Sequence, residues 1–134
     1  MAELIGLLDL EQVDENVFLA RHPTSRTKRL FGGQILAQAL MAASRTLPDG
    51  RVPHSLHGYF LRPGSPQVPA VVRVEVTRDG RSFSTRRVVV IQGGEAIFNM
   101  DASFQAAESG LNHQAKMPDL SPPPHEKIPK VLFD

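Results

Sequence analysis

The spacing of apolar residues first predicts a helix. Good helix formers fill positions 34–47, directly after the pair Gly32-Gly33 and before Pro48-Asp49-Gly50. Apolar side chains occupy nearly the whole circumference of this segment, and a helix that is apolar all round is enclosed by other structure. We therefore predict a central helix with a second layer wrapped around it.

Four segments after this helix carry the pattern of strands. They are rich in β-branched and aromatic residues, and in the second of them valines alternate with polar residues, as in a half-buried strand. The segments are 54–62, 70–77, 82–91 and 95–105. Turn sequences separate the later ones, with Asp79-Gly80 before the third and Gly93-Gly94 before the fourth. The pattern predicts an antiparallel meander.

The two ends of the chain carry weaker patterns. Apolar residues within 3–8 predict a short helix, and those between Leu10 and Leu19 predict a first strand. The polar and basic run over 22–29 contains a proline and is typical of a loop. After Ala106 the chain becomes polar, and the triple proline at 122–124 excludes a helix or a sheet interior.

Together these elements predict an α+β fold, in which a curved antiparallel β-sheet wraps around a long central helix. This is the hotdog arrangement. A chain of 134 residues is long enough for one such core. We expect the hotdog domain to occupy residues 1–106 and residues 107–134 to form a proline-rich linker or tail.

Composition excludes several classes of function. Fifteen Lys and Arg against fourteen Asp and Glu give a net charge of +1, which provides no overall field for nucleic acid or an anionic membrane. Without cysteine there is no disulfide, thiolate metal site or cysteine nucleophile. The apolar runs are far shorter than the ~20 residues of a membrane span, and the first residues lack the pattern of a secretion signal. We therefore expect a cytoplasmic protein without a membrane span.

Four motifs resemble the first half of TesB-like acyl-CoA thioesterases, the thioesterase II family. Each motif alone is weak, but they occur in that family's order and spacing, from about Leu8 to Pro118. The motifs are Phe31-Gly-Gly-Gln-Ile-Leu-Ala-Gln-Ala-Leu40, His54-Ser-Leu-His-Gly-Tyr-Phe-Leu-Arg-Pro-Gly64, Arg78-Asp-Gly-Arg-Ser-Phe-Ser-Thr-Arg-Arg87 and Ala102-Ser-Phe-Gln105. The resemblance implies the N-terminal half of a double-hotdog enzyme that hydrolyses fatty acyl-CoA to a free fatty acid and CoA.

The same resemblance implies that this domain needs a partner. In the family, an Asp, a Ser or Thr, and a Gln hold the attacking water, chiefly in the second hotdog domain. Gln105 falls at the position of that Gln, whereas Gly32 or Gly33 falls where the Asp stands and Pro53 falls near the Ser or Thr. A second hotdog domain, in the same chain or from homo-oligomerisation, is therefore the expected partner. The expected substrate is acyl-CoA, no cofactor is expected, and this domain alone should be weak or inactive.

The start of the predicted helix is a candidate for substrate binding. Gly32 and Gly33 allow a ligand to approach the backbone, and the first N–H groups of a helix, up to Gln34 here, are unpaired and carry partial positive charge. Such groups can polarise a thioester carbonyl and stabilise its oxyanion. The alternative is that the glycines serve only the turn and close helix–sheet packing.

Gln105 and His54 are candidates for catalysis. The neutral amide of Gln105 can orient water but cannot act as a strong base. His54 resembles a family histidine linked to the active region, and an ordinary imidazole, with a pKa of about 6.5, suits general-base work. A backbone-bonded amide and an interface histidine are the alternatives. Because His54 and His57 lie three apart on a predicted strand, we expect them on opposite faces, and no metal site is expected.

Arg62 and Arg86 are candidates for binding the phosphates of coenzyme A, because a guanidinium group donates in a fixed fork. Solvated charges on an exposed sheet face explain both arginines equally well. The histidines at 22, 113 and 125 lie in loop or tail segments and have no predicted role.

Two functions of different class remain open. The first is an acyl-CoA hydrolase domain, and the alternative is a noncatalytic hotdog module that scaffolds or binds acyl groups. A hotdog hydratase needs an Asp and His pair near the helix, and residues 31–40 contain neither. The lack of an Asp in that segment favours the noncatalytic module for the isolated chain.

Overall fold

The computed structural model describes residues 2–22 and 28–121, in which the chain forms two α-helices and six β-strands. The helices are α1 (Ala2–Leu8) and α2 (Gly32–Ser44). The strands are β1 (Glu11–Asp14), β2 (Val17–Ala20), β3 (Arg51–Phe60), β4 (Ala70–Asp79), β5 (Phe83–Gln92) and β6 (Glu95–Ala106). The predicted short helix, central helix and four later strands are confirmed, with small shifts in their ends.

The six described strands form one antiparallel sheet, and α2 packs on one face of it. The order across the sheet is β1-β2-β4-β5-β6-β3. Of the four strands predicted to form a meander, β4, β5 and β6 do so, but β3 pairs with β6 instead of β4 and lies at an edge, so its predicted place is wrong. Between helix and sheet lies a core that includes Ile35, Ala39, Ala42, Phe18, Val88, Phe98, Met100 and Phe104. This arrangement confirms the predicted α+β class.

Two tight turns depend on residues that accept a positive φ. Gly93 and Gly94 have φ angles of 56° and 83° and close the β5–β6 hairpin, as predicted. Asn16, with a φ of 57°, closes a hairpin between β1 and β2. The prediction of one strand between Leu10 and Leu19 is therefore wrong, because asparagine tolerates the left-handed conformation and the chain reverses there.

Helix α2 is less enclosed than its composition predicted. One side of it is buried, namely Ile35, Gln38, Ala39, Ala42 and Ala43. Leu36, Leu40 and Met41 on its other sides are only partly buried. The described sheet covers one side of the helix, so the prediction of a helix enclosed all round is wrong for this chain.

A β-bulge interrupts the pairing of β3 with β6. Pro53 lies opposite Phe104 and Ser55 lies opposite Ser103, so His54 is an extra residue in β3. An extra residue shifts the alternation of side chains by one position. The side chains that follow the bulge therefore lie on faces that simple counting would not give.

The bulge places His54 and His57 on the same face of the sheet. His57 lies opposite Asp101, and the Nε2 atom of His54 is 2.8 Å from the Oγ atom of Ser103. Asp101 and Ser103 alternate with the buried residues of β6, so they lie on the face opposite α2, here called the outer face. The prediction that these histidines point to opposite faces is wrong because the bulge was not foreseen.

The helix side of β3 is incompletely covered. Leu56 and Phe60 lie opposite Ala102 and Phe98, which are both buried against the core, yet Leu56 is 39% exposed and Phe60 is 56% exposed. Gly58 lies between them on the same side. We call Leu56, Gly58 and Phe60 the uncovered strip. In the described part of the chain, no strand pairs with the free edge beside it.

The remaining predictions concern the ends of the chain and its loops. Residues 107–121 are exposed and contain no helix or strand, whereas the triple proline and the rest of the predicted linker lie outside the described residues, as do positions 23–27 of the predicted loop. Among the described residues, no helix has the length and apolar character needed to cross a membrane.

Candidate functional site

The first turn of α2 lies against the end of β3. A Cβ atom added to Gly32 would lie 3.0 Å from the Cζ atom of Phe60, so a side chain at this position requires the ring to move. The N–H of Gln34 already donates to the carbonyl of Phe31, at 3.1 Å. The N–H groups of Gly32 and Gly33 come before any helical acceptor. The helix itself therefore offers no acceptor to the amides of Gly32 and Gly33, whereas the amide of Gln34 is already bonded.

A depression of about 360 Å³ lies beside this first turn. It is lined by apolar side chains and by two arginines: Arg29, Leu30, Gly32, Ile35, Phe60, Leu61, Arg62, Pro63 and Gly64. Arg62 forms an ion pair with Glu95, at 3.2 Å, and donates to the carbonyl of Ala96. The structure thus brings the candidates Gly32 and Arg62 to one depression, with Arg62 partly engaged by other groups.

The side chain of Gln34 bonds to a histidine instead. Its Nε2 atom donates to the Nδ1 atom of His22, at 3.0 Å. Burial lowers the pKa of His22, so its imidazole is neutral near pH 7 and can accept this bond. The pair joins the segment after β2 to the start of α2. Sequence reasoning gave His22 no role, because only the folded chain brings these two residues together.

A second group of polar side chains lies on the outer face. The hydroxyl of Ser103 bonds to the Nε2 atom of His54, and the rings of His54 and Phe83 meet edge to face with centroids 5.7 Å apart. Gln105 lies opposite Phe83 in the register of β5 with β6. The structure therefore brings the two catalytic candidates, His54 and Gln105, to one region. It adds Ser103, which strand alternation within Ala102-Ser-Phe-Gln105 could have shown.

This outer group has the elements of acid–base chemistry. In the tautomer whose Nε2 atom carries no proton, His54 accepts a hydrogen bond from Ser103 and can take a proton from a hydroxyl or from water. The amide of Gln105, two residues further along the same face, can orient a water molecule. Among the described residues, no carboxylate forms a hydrogen bond or an ion pair with His54.

The two groups lie far apart. His54 and Phe60 are six residues apart on β3, which corresponds to about 20 Å along an extended strand. They also lie on opposite faces, since His54 is on the outer face and Phe60 is on the helix side. The start of α2 and the pair His54–Gln105 therefore cannot act on the same carbonyl within one copy of this domain.

Arg86 lies in the interior, with no exposed surface. Its five N–H groups donate to Thr46 Oγ1, the Thr46 carbonyl, the Arg78 carbonyl, the Thr85 carbonyl and the Asp79 carboxylate. No N–H of Arg86 remains for a phosphate. The expected contact of Arg86 with coenzyme A is therefore corrected, because the side chain is buried and its donors are all used. The side chain instead connects the β4–β5 hairpin to the end of α2.

Acidic and histidine side chains on the outer face are dispersed. Asp101 pairs with Arg87, at 3.0 Å, and both side chains are about half exposed. In the described parts of the chain, no three His, Cys, Asp or Glu side chains are grouped closely enough to hold a metal ion.

Comparison with known families gives a match that covers most of the folded part. The model of the acyl-CoA thioesterase N-terminal domain matches residues 20–105, from the end of β2 to Gln105 in β6. Both groups of candidate residues lie within this match, and His22 lies at its beginning.

Curated relatives match nearly the whole chain. Human acyl-coenzyme A thioesterase 8 is 49% identical over 123 residues, which is 91% of this chain and 38% of the relative. Acyl-CoA thioesterase 2 of Haemophilus influenzae is 43% identical over 120 residues, which is 90% of this chain and 42% of the relative. The chain thus spans about two fifths of the length of these relatives.

Solved structures show the same arrangement. The acyl-CoA thioesterase II TesB2 of Mycobacterium marinum has a TM-score of 0.80 and 48% identity, covering 92% of this chain and 45% of that one. A protein described as having a hot dog fold, from Alicyclobacillus acidocaldarius, has a TM-score of 0.74 and 26% identity, covering 90% of this chain and 46% of that one. The predicted hotdog fold is confirmed.

Proposed function

The chain belongs to the acyl-CoA thioesterase N-terminal domain family, and from this membership we propose that it takes part in the hydrolysis of acyl-CoA to a free acid and coenzyme A. The observation that carries the proposal is the family match together with the depression at the start of α2. Helix amides that have no acceptor within the helix, beside an apolar depression, suit a ligand that joins a polarisable carbonyl to an apolar chain.

The roles at the start of α2 follow from its chemistry. The amides of Gly32 and Gly33 would donate to the thioester oxygen, which gains negative charge as water attacks. Arg62 would contact the polar part of the substrate from the wall of the depression. Gln34 would act through its backbone position rather than its side chain, since that side chain bonds to His22.

A second hotdog domain is part of the proposal. The relatives are more than twice as long as this chain, and the edge strand β3 presents a free edge and the uncovered strip. An unpaired edge with exposed apolar side chains suits pairing with another domain. Such a partner would supply the carboxylate that residues 32–44 of α2 lack.

His54 and Gln105 would then serve a carbonyl held outside this domain. Because His54 lies about 20 Å along β3 from Phe60, which contacts the start of α2, a helix of the partner would have to present the thioester to His54 and Gln105. His54 would act as general base through a water or through Ser103, and Gln105 would orient that water.

The expected cytoplasmic location stays a prediction.

The separation of the two groups also favours a second candidate function. In this domain, the amides that would polarise a carbonyl and the imidazole of His54 cannot act on the same carbonyl. Such a domain is suited to bind an acyl group without hydrolysing it. In that case the chain is a noncatalytic hotdog module that scaffolds or binds acyl groups. Activity measurements distinguish the two functions.

The test compares the chain alone with the chain joined to the part of the Haemophilus influenzae relative that lies beyond its match. Thiol release from medium-chain and long-chain acyl-CoA is measured for both. We expect robust turnover by the joined protein and turnover by the chain alone lower by about 10²–10⁴, the usual contribution of general acid–base catalysis.

Variants of the joined protein assign the outer group. His54→Ala and Gln105→Ala should lower kcat, whereas His57→Ala, which removes the same side chain from the same face, should not. Turnover by the chain alone that is lost in His54→Ala would instead mean a self-sufficient homomeric enzyme. A joined protein that binds acyl-CoA without releasing thiol would establish the noncatalytic module.

A further inference from the structure

Phe60 forms the wall of the depression at the end of β3. It is the last residue of the strand, it lies on the helix side, and its ring packs against that of Phe98, with centroids 4.8 Å apart. Beyond it on the same side lies Gly58, over which the ring of Phe98 packs, since a Cβ atom added to Gly58 would lie 2.7 Å from the Cζ atom of Phe98. The rings of Phe60 and Phe98 therefore bound the depression on the side of β3.

The ring is also in steric contact with the helix start. A Cβ atom on Gly32 would meet the Cζ atom of Phe60 at 3.0 Å and its Cε1 atom at 3.2 Å. These distances are shorter than ordinary van der Waals contacts, so Gly32 and Phe60 limit each other's position. Gly32, whose amide would polarise the carbonyl, is thus the neighbour of Phe60, which bounds the apolar space.

We propose that Phe60 determines the acyl-chain length that the depression accepts, with Gly32 setting the position of its ring. This inference rests on the proposed function, because it assigns the apolar walls Leu30, Ile35 and Leu61 to the acyl chain. The carbonyl lies at the start of α2, and the chain runs into the depression until it meets the ring. A smaller side chain at 60 leaves the space of the ring to the acyl chain, and a larger one at 32 pushes the ring inward.

The effect has a predictable size and direction. Each additional methylene that becomes buried strengthens binding about fourfold. Phe60→Ala should therefore leave short acyl chains nearly unchanged and favour longer ones by about fourfold for each methylene gained. Gly32→Ala should shift the preference to shorter chains. In the double variant, Phe60→Ala should relieve the crowding caused by Gly32→Ala, so the two effects should not add.

The experiment measures kcat/KM of the joined protein, and the affinity of the chain itself by calorimetry, over acyl-CoA substrates of increasing length. Tyr59→Ala is the matched control, because Tyr59 is an aromatic residue of similar exposure, 60%, whose neighbour in register is Asn99 on the outer face. It should leave the length profile unchanged. Phe60→Leu, a milder change, should give a smaller shift in the same direction. Circular dichroism shows whether Phe60→Ala is folded, and Phe60→Leu provides the test if it is not.

The outcomes separate this inference from the proposed function. A shift of the length profile in Phe60→Ala and its absence in Tyr59→Ala support the inference. An equal change for all chain lengths, or none, overturns it while turnover by the joined protein still upholds the hydrolase. A joined protein without turnover overturns the hydrolase, and the affinity profile of the chain then still decides the role of Phe60.

Discussion

At the scale of single residues, Arg86 shows how a buried charge can be accommodated. Its guanidinium group finds five acceptors, of which Asp79 is the one carboxylate. Asp79 in turn accepts a hydrogen bond from Ser84, at 2.6 Å. Removing one partner from such a network leaves a buried charge without compensation, which costs more than the pair itself contributes. The arginine therefore makes the hairpin turn and the end of α2 depend on each other.

Asp79→Asn tests this dependence. The substitution keeps the size of the side chain but removes the charge opposite Arg86, and we expect the free energy of unfolding to fall by roughly 3 kcal/mol, the lower end for a buried pair, because Asp79 is partly exposed. Urea unfolding measures the change. Asp101→Asn is the control: its pair with Arg87 is exposed on both sides, so the loss should be far smaller. Equal losses would contradict the role of Arg86.

The same variant has an expected dependence on pH. The hydrogen bond from Ser84, followed by the contacts of Arg86, lowers the pKa of Asp79 below its ordinary value of 3.8. A carboxylate with a lowered pKa stabilises the fold fully above that ordinary value and loses this contribution as the pH falls toward the lowered one. The difference in stability between wild type and Asp79→Asn should therefore be constant near neutrality and shrink below about pH 4. A difference that persists in acid would argue against this origin.

At the scale of elements, α2 shows that the composition of a helix does not reveal how far it is covered. Its run of Ala and Leu predicted a helix enclosed all round, yet Leu40 is only partly buried and Ala39 is fully buried. Leu40→Asp, which the enclosed model would make a disruptive change, is therefore expected to be tolerated better than a charge at Ala39. Only the arrangement of the sheet shows that one side of α2 is partly covered.

A pair of matched substitutions checks this assignment. Ala39→Asp places a charge in the core, where an unpaired charge costs several kcal/mol, and should unfold the domain. Ala37→Asp makes the same change two residues earlier, on a side that is only partly buried, and should leave a cooperative melting curve. Circular dichroism melts of both variants decide the matter. If both variants unfold alike, the helix is enclosed all round after all.

The strands show which features local sequence can predict and which it cannot. Gly93-Gly94 and Asp79-Gly80 marked the turns of the meander because their turn chemistry is local. The bulge at His54 leaves no local sign, since an extra residue in a strand is visible only against its partner β6. The sequence could show that His54 and Gln105 carry side chains suited to catalysis. It could not show that they share a face of the sheet or how far they lie from the start of α2, because both depend on the order of the strands.

At the scale of the whole molecule, the two edges of the sheet differ. The edge formed by β1 is four residues long, whereas β3 is ten residues long and exposes Val52, Leu56, Tyr59 and Phe60. Long edge strands with apolar side chains tend to pair with another strand. Pro53, which has no N–H, is the one proline within β3. The β3 edge is therefore the side on which a partner domain is expected.

We expect the isolated chain to associate through β3, at least as a dimer. Light scattering should show a mass that rises with concentration in the micromolar range. Leu56→Lys places a charge on the uncovered strip and should shift the chain to the monomer, whereas Val13→Lys makes a similar change on the β1 edge and should not. A wild-type chain that stays monomeric at high micromolar concentration would show that β3 needs no partner.

The pairing of β3 with β6 also imposes an order in time. Phe60, at the end of β3, leaves the ribosome 35 residues before Glu95, at the start of β6. At about 5–20 residues per second, this is a delay of roughly two to seven seconds, whereas hairpins form within about 10 μs. The nascent β4–β5 hairpin can close while β3, although made earlier, still has no neighbour. During those seconds its apolar residues are open to chaperones or to wrong neighbours, so β3 is made before the meander but gains its neighbour only when the last strand of the meander arrives.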